Sequence, residues 1–144
     1  MRKSAAITSF LIAATLSTSV AGQERAPGQP KMFMVFFDWG KPVVTRDAMV
    51  ILDDAATAFL QDPRGELRLS GHTDRSGDAS SNRRSALTRA EAVRDYLSAR
   101  GVPRGAMTLV SFGEDRPLVP TEDGVREVQN RRVEISIGDE RSLR

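Results

Sequence analysis

The chain has no cysteine, and one histidine, one tryptophan and one tyrosine among its 144 residues. Without thiols it forms no disulfide, no thiolate metal site and no cysteine-linked lipid anchor. A metal centre would have to rest on carboxylates, so no metal or other cofactor is expected. The lone histidine has no serine or cysteine partner in a recognisable frame, which leaves nucleophilic catalysis without its base. An excess of one charge is also lacking: 21 basic residues face 19 acidic ones. A near-neutral chain this poor in Trp and Tyr gives no support for nucleic-acid binding.

Long apolar runs are equally scarce. The one candidate, Ala5 to Val20, is interrupted only by Ser and Thr. It is shorter than the roughly 20 apolar residues of a spanning helix. Arg2 and Lys3 precede it, and Ser19-Val20-Ala21 gives the small-x-small pattern of a signal-peptidase site. Residues 1–21 therefore read as a secretory signal peptide cut after Ala21. The leader carries Arg2 and Lys3 and no acid, so its removal leaves the chain near neutral, with no remaining membrane span. Residues 22–31 form a Gly/Gln/Pro lead-in, 32–138 a folded domain, and 139–144 a charged tail.

Within the domain, Met32–Phe37 is a short apolar run bounded by turn formers, which predicts a buried strand. Thr45 can cap a helix whose apolar stripe is Ala48, Ile51, Leu52, Ala55 and Phe59. Asp62-Pro63-Arg64-Gly65 stops it. Leu67, Leu69 and Gly71 alternate with Arg68 and Ser70 as in a half-buried strand. A polar loop precedes a second helix over Ser80–Arg100, striped by Ala86, Ala90, Val93 and Leu97 and ended by Gly101 and Pro103. Thr108–Phe112 predicts a third strand, 113–129 is irregular, and Val133, Ile135 and Ile137 mark a fourth. The order β-α-β-α-β-β predicts an α+β fold: a two-layer sandwich, with the helices on one face of a mixed sheet.

Binding groups usually sit in loops at strand ends, and Gly71-His72-Thr73-Asp74-Arg75-Ser76-Gly77 is such a loop. Asp74 at its centre either binds a ligand, or merely bonds loop amides or caps the second helix. Asn82 and Arg89, seven residues apart, share one edge of that helix beside its buried stripe. A guanidinium next to a core needs an anion. Asp74, Asp38 and a ligand carboxylate are the alternatives, and a plain internal salt bridge explains the pattern equally well. An Asp and an Arg in one site suit a zwitterion: the Asp takes an ammonium and the Arg grips a carboxylate with paired hydrogen bonds.

Gly71-His72-Thr73-Asp74, Gly77, Asn82, Arg89-Ala90, Val93, Leu97 and Gly101-Val102 together resemble the signature of the OmpA-like C-terminal domain family. The resemblance continues through Phe112-Gly113-Glu114, Pro117 and Asn130-Arg131-Arg132-Val133-Glu134-Ile135, and opens with Val35-Phe36-Phe37-Asp38-Trp39. It covers about residues 32–138. It implies non-covalent binding of peptidoglycan at the D-centre amine and carboxylate of meso-diaminopimelate in the stem peptides. Asp74 would pair with the ammonium and Arg89 with the carboxylate. Thr73, Asn82 and Asp38 match positions in or near the family's groove. Two departures stand out: Ser85-Ala86 replaces the usual Leu-Ser, which would weaken local helix packing, and Gly40 stands where the family has an acidic or polar residue.

The remaining features read plainly. His72 is a structural strand-end residue, Trp39 a core aromatic, and Asn130-Arg131-Arg132 a hydrogen-bonding brace for 113–129. Asp53-Asp54 and Arg83-Arg84 read as solvated surface. The expectation is a non-enzymatic periplasmic module of a Gram-negative envelope, a monomer or weak dimer. Its partner would be peptidoglycan, with room for an envelope protein. A protein–protein adaptor on the same fold is the alternative.

Overall fold

In the computed structural model, which describes residues 29–139 and Leu143, strands β1 (Lys31–Phe36), β2 (Glu66–His72), β3 (Met107–Gly113) and β4 (Arg132–Gly138) form one sheet. Helices α1 (Arg46–Gln61) and α2 (Ala79–Ala99) follow β1 and β2. The spatial order is β1-β4-β2-β3, with β4 antiparallel to both neighbours and β2 parallel to β3. The chain's last strand thus inserts between its first two. The segment expected to be a signal peptide, residues 1–21, and most of the expected lead-in fall outside the described residues. Lys31, placed in the lead-in from sequence, instead pairs with Ile137 as the first residue of β1.

Local chemistry accounts for the helix ends. The Thr45 hydroxyl accepts from the Ala48 amide at 3.2 Å, and the Asp78 carboxylate accepts from the Ser81 amide at 2.9 Å. Each satisfies an amide that has no partner within its helix. Asp78, not Asp74, is therefore the cap of α2. One face of the sheet packs on both helices. Val35, Phe37, Leu52, Phe59, Leu67, Leu69, Val93, Leu97, Val133 and Ile135 are buried there with 1% exposure or less. Of the apolar positions in the α1 stripe, Ile51 is only half-buried, and Ala56 takes its place in the core.

Two sequence expectations change. Trp39 is 51% exposed, not core. Period-2 alternation would carry it inward after Phe37, but β1 has ended by then and a turn begins at Trp39. Gly40 sits in that turn at φ +68°, a conformation rarely adopted by L side chains, which accounts for the missing acidic residue. At the Ser85-Ala86 departure, Ala86 is fully buried with its backbone against Gly71 of β2. Asp53 is more than solvated surface, since it accepts hydrogen bonds from Tyr96 and Arg100, both at 2.9 Å, and so ties α1 to α2.

The opposite face of the sheet carries no helix. His72 lies there, 1% exposed and stacked on Phe112 with ring centroids 5.3 Å apart. Burial lowers its pKa to about 4, helped by Arg132 and Arg116; Glu134 and the Arg116 carbonyl oppose this without reaching hydrogen-bond geometry. The unfolded chain therefore binds a proton near pH 6.5 that the folded chain refuses until about pH 4. Stability is retained above pH 6.5 and falls progressively down to pH 4, by up to about 3 kcal/mol from this group. Urea unfolding of His72→Gln against the parent across that window checks it. The variant should show a flatter profile, and equal slopes would refute the assignment.

Candidate ligand-binding site

The loop between β2 and α2 is anchored before any ligand is considered. The Thr73 amide donates to the Gly113 carbonyl at 2.8 Å. Asn82, in the first turn of α2, donates its amide hydrogens to the Gly77 carbonyl and the Glu114 carboxylate. Asn82 thereby latches the loop to the end of β3. The Thr73 hydroxyl is buried with no hydrogen-bond partner.

Asp74 is 3% exposed and its carboxylate is fully engaged. One oxygen accepts from the Ser76 amide at 3.2 Å and the Ser76 hydroxyl at 2.6 Å. The other accepts from the Glu127 amide at 3.2 Å and from Arg131 Nη1 at 2.8 Å. Four donors match the four lone-pair positions of a carboxylate. Burial alone would raise its pKa, but the Ser76 and Arg131 hydrogen bonds, with the Glu127 amide, outweigh that and hold it below the ordinary 3.8. Its contribution to stability is thus complete at neutral pH and is lost only below that value, beneath the His72 window.

Arg89 is 5% exposed and donates from Nη1 to the His72 carbonyl at 3.1 Å. Its guanidinium also lies 5.8 Å from the centroid of the Phe37 ring. Among the described residues no carboxylate lies within ion-pair distance of it. Burial lowers its pKa and Arg131 adds repulsion, while Asp74 is close enough to oppose both. Asp74 and Arg89 therefore share a neighbourhood without touching. Arg89 lines a pocket of about 280 Å³ between Gly40-Lys41-Pro42 and the first turns of α2, where Ser81, Arg84 and Ser85 also stand.

The partner of Asp74 is Arg131, which sequence reading had assigned to bracing the 113–129 segment. Its neighbours do serve that purpose. Asn130 exchanges two hydrogen bonds with the Val119 backbone, at 2.8 and 2.7 Å, and Arg132 donates to the Arg116 carbonyl at 3.2 Å. Arg131 points inward instead and also donates to the Phe37 carbonyl at 3.0 Å. Two guanidiniums thus flank one carboxylate beneath the surface. The signal for this was present: Arg131 lies one residue before a strand whose alternate positions face the core. Asp38 stays apart, exposed and lining a cavity with Thr45, Asp47 and Val128. Trp39 donates from its indole to the Ser76 hydroxyl at 3.2 Å, with the Arg126 guanidinium 3.7 Å from its ring centroid. Neither Ser76 nor the Trp39–Arg126 stack was legible as part of the site.

A family model described as the OmpA family matches residues 36–131. The chain belongs to the OmpA family. A protein of Gluconacetobacter diazotrophicus described as an outer membrane protein is 37% identical over 116 residues, 76% of this chain and 31% of its own length. The peptidoglycan-associated lipoprotein of Rhizobium meliloti is 34% identical over 72% of this chain and 59% of its own length. The chain thus spans less than two thirds of either relative. It covers 75% of the peptidoglycan-associated lipoprotein of Haemophilus influenzae, at 31% identity and over 80% of this chain. Among solved structures, the peptidoglycan-associated lipoprotein of Burkholderia pseudomallei superposes with a TM-score of 0.68 at 30% identity, over 73% of this chain and 89% of that one. The β-α-β-α-β-β order and single-sided helices are those of this fold. No helix among the described residues is long and apolar enough to cross a membrane.

Proposed function

We propose that this member of the OmpA family is a non-catalytic module of the Gram-negative periplasm. It binds peptidoglycan through the meso-diaminopimelate of the stem peptides and so tethers the envelope to its wall. The observation that carries the reading is Arg89, a nearly buried guanidinium that faces a pocket with no carboxylate of its own. A cation held there by the fold is satisfied by an incoming carboxylate through paired charge-assisted bonds. Relatives named peptidoglycan-associated lipoproteins, matched over most of the domain, support peptidoglycan as the polymer bound.

Asp74 acts on the ammonium of the same ligand in this reading. Because its four acceptor positions are filled, an ammonium must replace a donor. The Ser76 hydroxyl can rotate aside, whereas the two backbone amides are fixed and Arg131 is buried. Thr73 lends an unpaired hydroxyl and Asn82 fixes the loop, whereas Asp38, in a separate cavity, is given no contact with the ligand.

Co-sedimentation with purified sacculi tests this, using Arg89→Met and Asp74→Asn, each first shown to be folded. The parent should pellet with diaminopimelate-type sacculi. Both variants should lose at least about tenfold in affinity. Sacculi whose stems carry lysine lack the second carboxylate and should bind as weakly as Arg89→Met does to the natural wall. Equal pelleting of all three proteins would sink the site assignment. It would leave the adaptor reading, for which exposed Leu118, Val125 and Val128 within the 113–129 segment offer a surface.

A further inference from the structure

The helix-free face of the sheet carries a second concentration of charge, unrelated to the Asp74–Arg89 site. Alternation puts Arg68, Ser70 and His72 of β2 on that face, with Arg132, Glu134 and Ser136 of β4. Phe112 of β3 stacks on His72, and Arg116 reaches over from the following loop with its guanidinium 3.8 Å from the Phe112 ring centroid. Arg68 approaches the same ring at 5.9 Å. All of these residues line one cavity of about 290 Å³.

Its charges do not balance internally. Among the described residues that line it, three guanidiniums face one carboxylate, Glu134, which accepts from Arg132 Nε at 2.8 Å. Glu134 stands 3.7 Å from His72 Nε2, too far for a hydrogen bond. Arg132 is 3% exposed, and its Nη1 has no hydrogen-bond partner. Neither ring nitrogen of His72 has one either. Buried polar atoms are nearly always satisfied, and Arg132 Nη1 and the one N–H of a neutral imidazole both lack an acceptor beside this basic cavity.

We propose that Arg68, Arg116 and Arg132, around His72, form an anion site that takes a dianionic phosphate monoester group. The three guanidiniums come from separate elements: Arg68 from β2, Arg132 from β4 and Arg116 from the loop after β3. A planar carboxylate is best met by one arginine with two parallel bonds, whereas a phosphate offers three oxygens in three directions. Its two charges near neutral pH also match the surplus. The Phe112 ring holds Arg116 in place by cation–π attraction, and Arg68 reaches the Leu143 carbonyl at 2.9 Å at the edge of the cavity.

Inorganic phosphate is the first probe, titrated into the purified protein while the His72 ring signals are followed by NMR. Saturable shifts are expected, with the His72 midpoint moving upward from about 4 as phosphate fills the site. Arg68→Gln/Arg116→Gln removes two donors that lie outside the core and should weaken binding at least about tenfold, without changing retention on sacculi. Preserved His72–Phe112 ring-current shifts show that the double variant is folded. Vesicles of phosphatidylcholine with and without phosphatidic acid identify the source. Pelleting that needs phosphatidic acid and is lost in the double variant assigns a lipid headgroup; phosphate binding without pelleting assigns a soluble or polymer-borne phosphate. No saturation by about 10 mM phosphate, equal shifts with acetate, or an unaffected double variant would overturn the proposal.

Discussion

Gly71→Ala is expected to cost about 3 kcal/mol or more and to leave much of the chain unfolded at 37 °C. A Cβ at this position would stand 2.0 Å from the carbonyl oxygen of Ala86 and 2.7 Å from its carbonyl carbon. Both contacts are to helix backbone, so no side-chain rotation relieves them. The helix could retreat only by lifting Ala90, Val93 and Leu97, all fully buried, off the sheet. Gly105 provides the control: nothing lies within 4 Å of a Cβ there, and Gly105→Ala should be close to neutral. Urea unfolding followed by far-ultraviolet circular dichroism separates the two cases. A Gly71→Ala chain as stable as the parent would mean that α2 does not sit this close to β2.

Arg131→Met is expected to cost about 3 kcal/mol at neutral pH, because it strands a buried carboxylate. The two side chains are 10% and 4% exposed, and Arg131 is the only cation within ion-pair distance of Asp74 among the described residues. Arg89 remains nearby but makes no hydrogen bond to it. Removing Arg131 also frees the Phe37 carbonyl. Without this partner the Asp74 pKa rises, so the deficit shrinks on acidification as the carboxylate takes up a proton. Unfolding at pH 7 and near pH 4 checks the sign, and a deficit independent of pH would show that only packing had been lost. Asp74→Asn combined with Arg131→Met should destabilise less than the sum of the single changes, since each single variant leaves one group buried and unpaired.

The elements were legible because their causes are local. Periods of two and of 3.6, the capping Thr45 and the Pro and Gly stops lie within a few residues of what they govern, so the four strands and two α-helices were placed to within a residue or two, whereas the short 3-10 turns at Arg104–Ala106 and Val128–Asn130 were not. Spacing along one loop and one helix singled out Asp74, Arg89 and Asn82, but left their roles open; the binding roles came from the resemblance to the OmpA-like family. The sequence thus determined the α+β order, the single-sided helices and the region of the candidate site. Tertiary structure alone decided which charges meet. Asp74 and Arg131 are 57 residues apart along the chain, and nothing in the periodicity of either segment says that β4 inserts beside β2 and brings Arg131 under the loop. The same insertion places Arg132 and Glu134 across from His72. Electrostatic partnership depends on distance in space and on burial, and both are set by strand order, which no local pattern encodes.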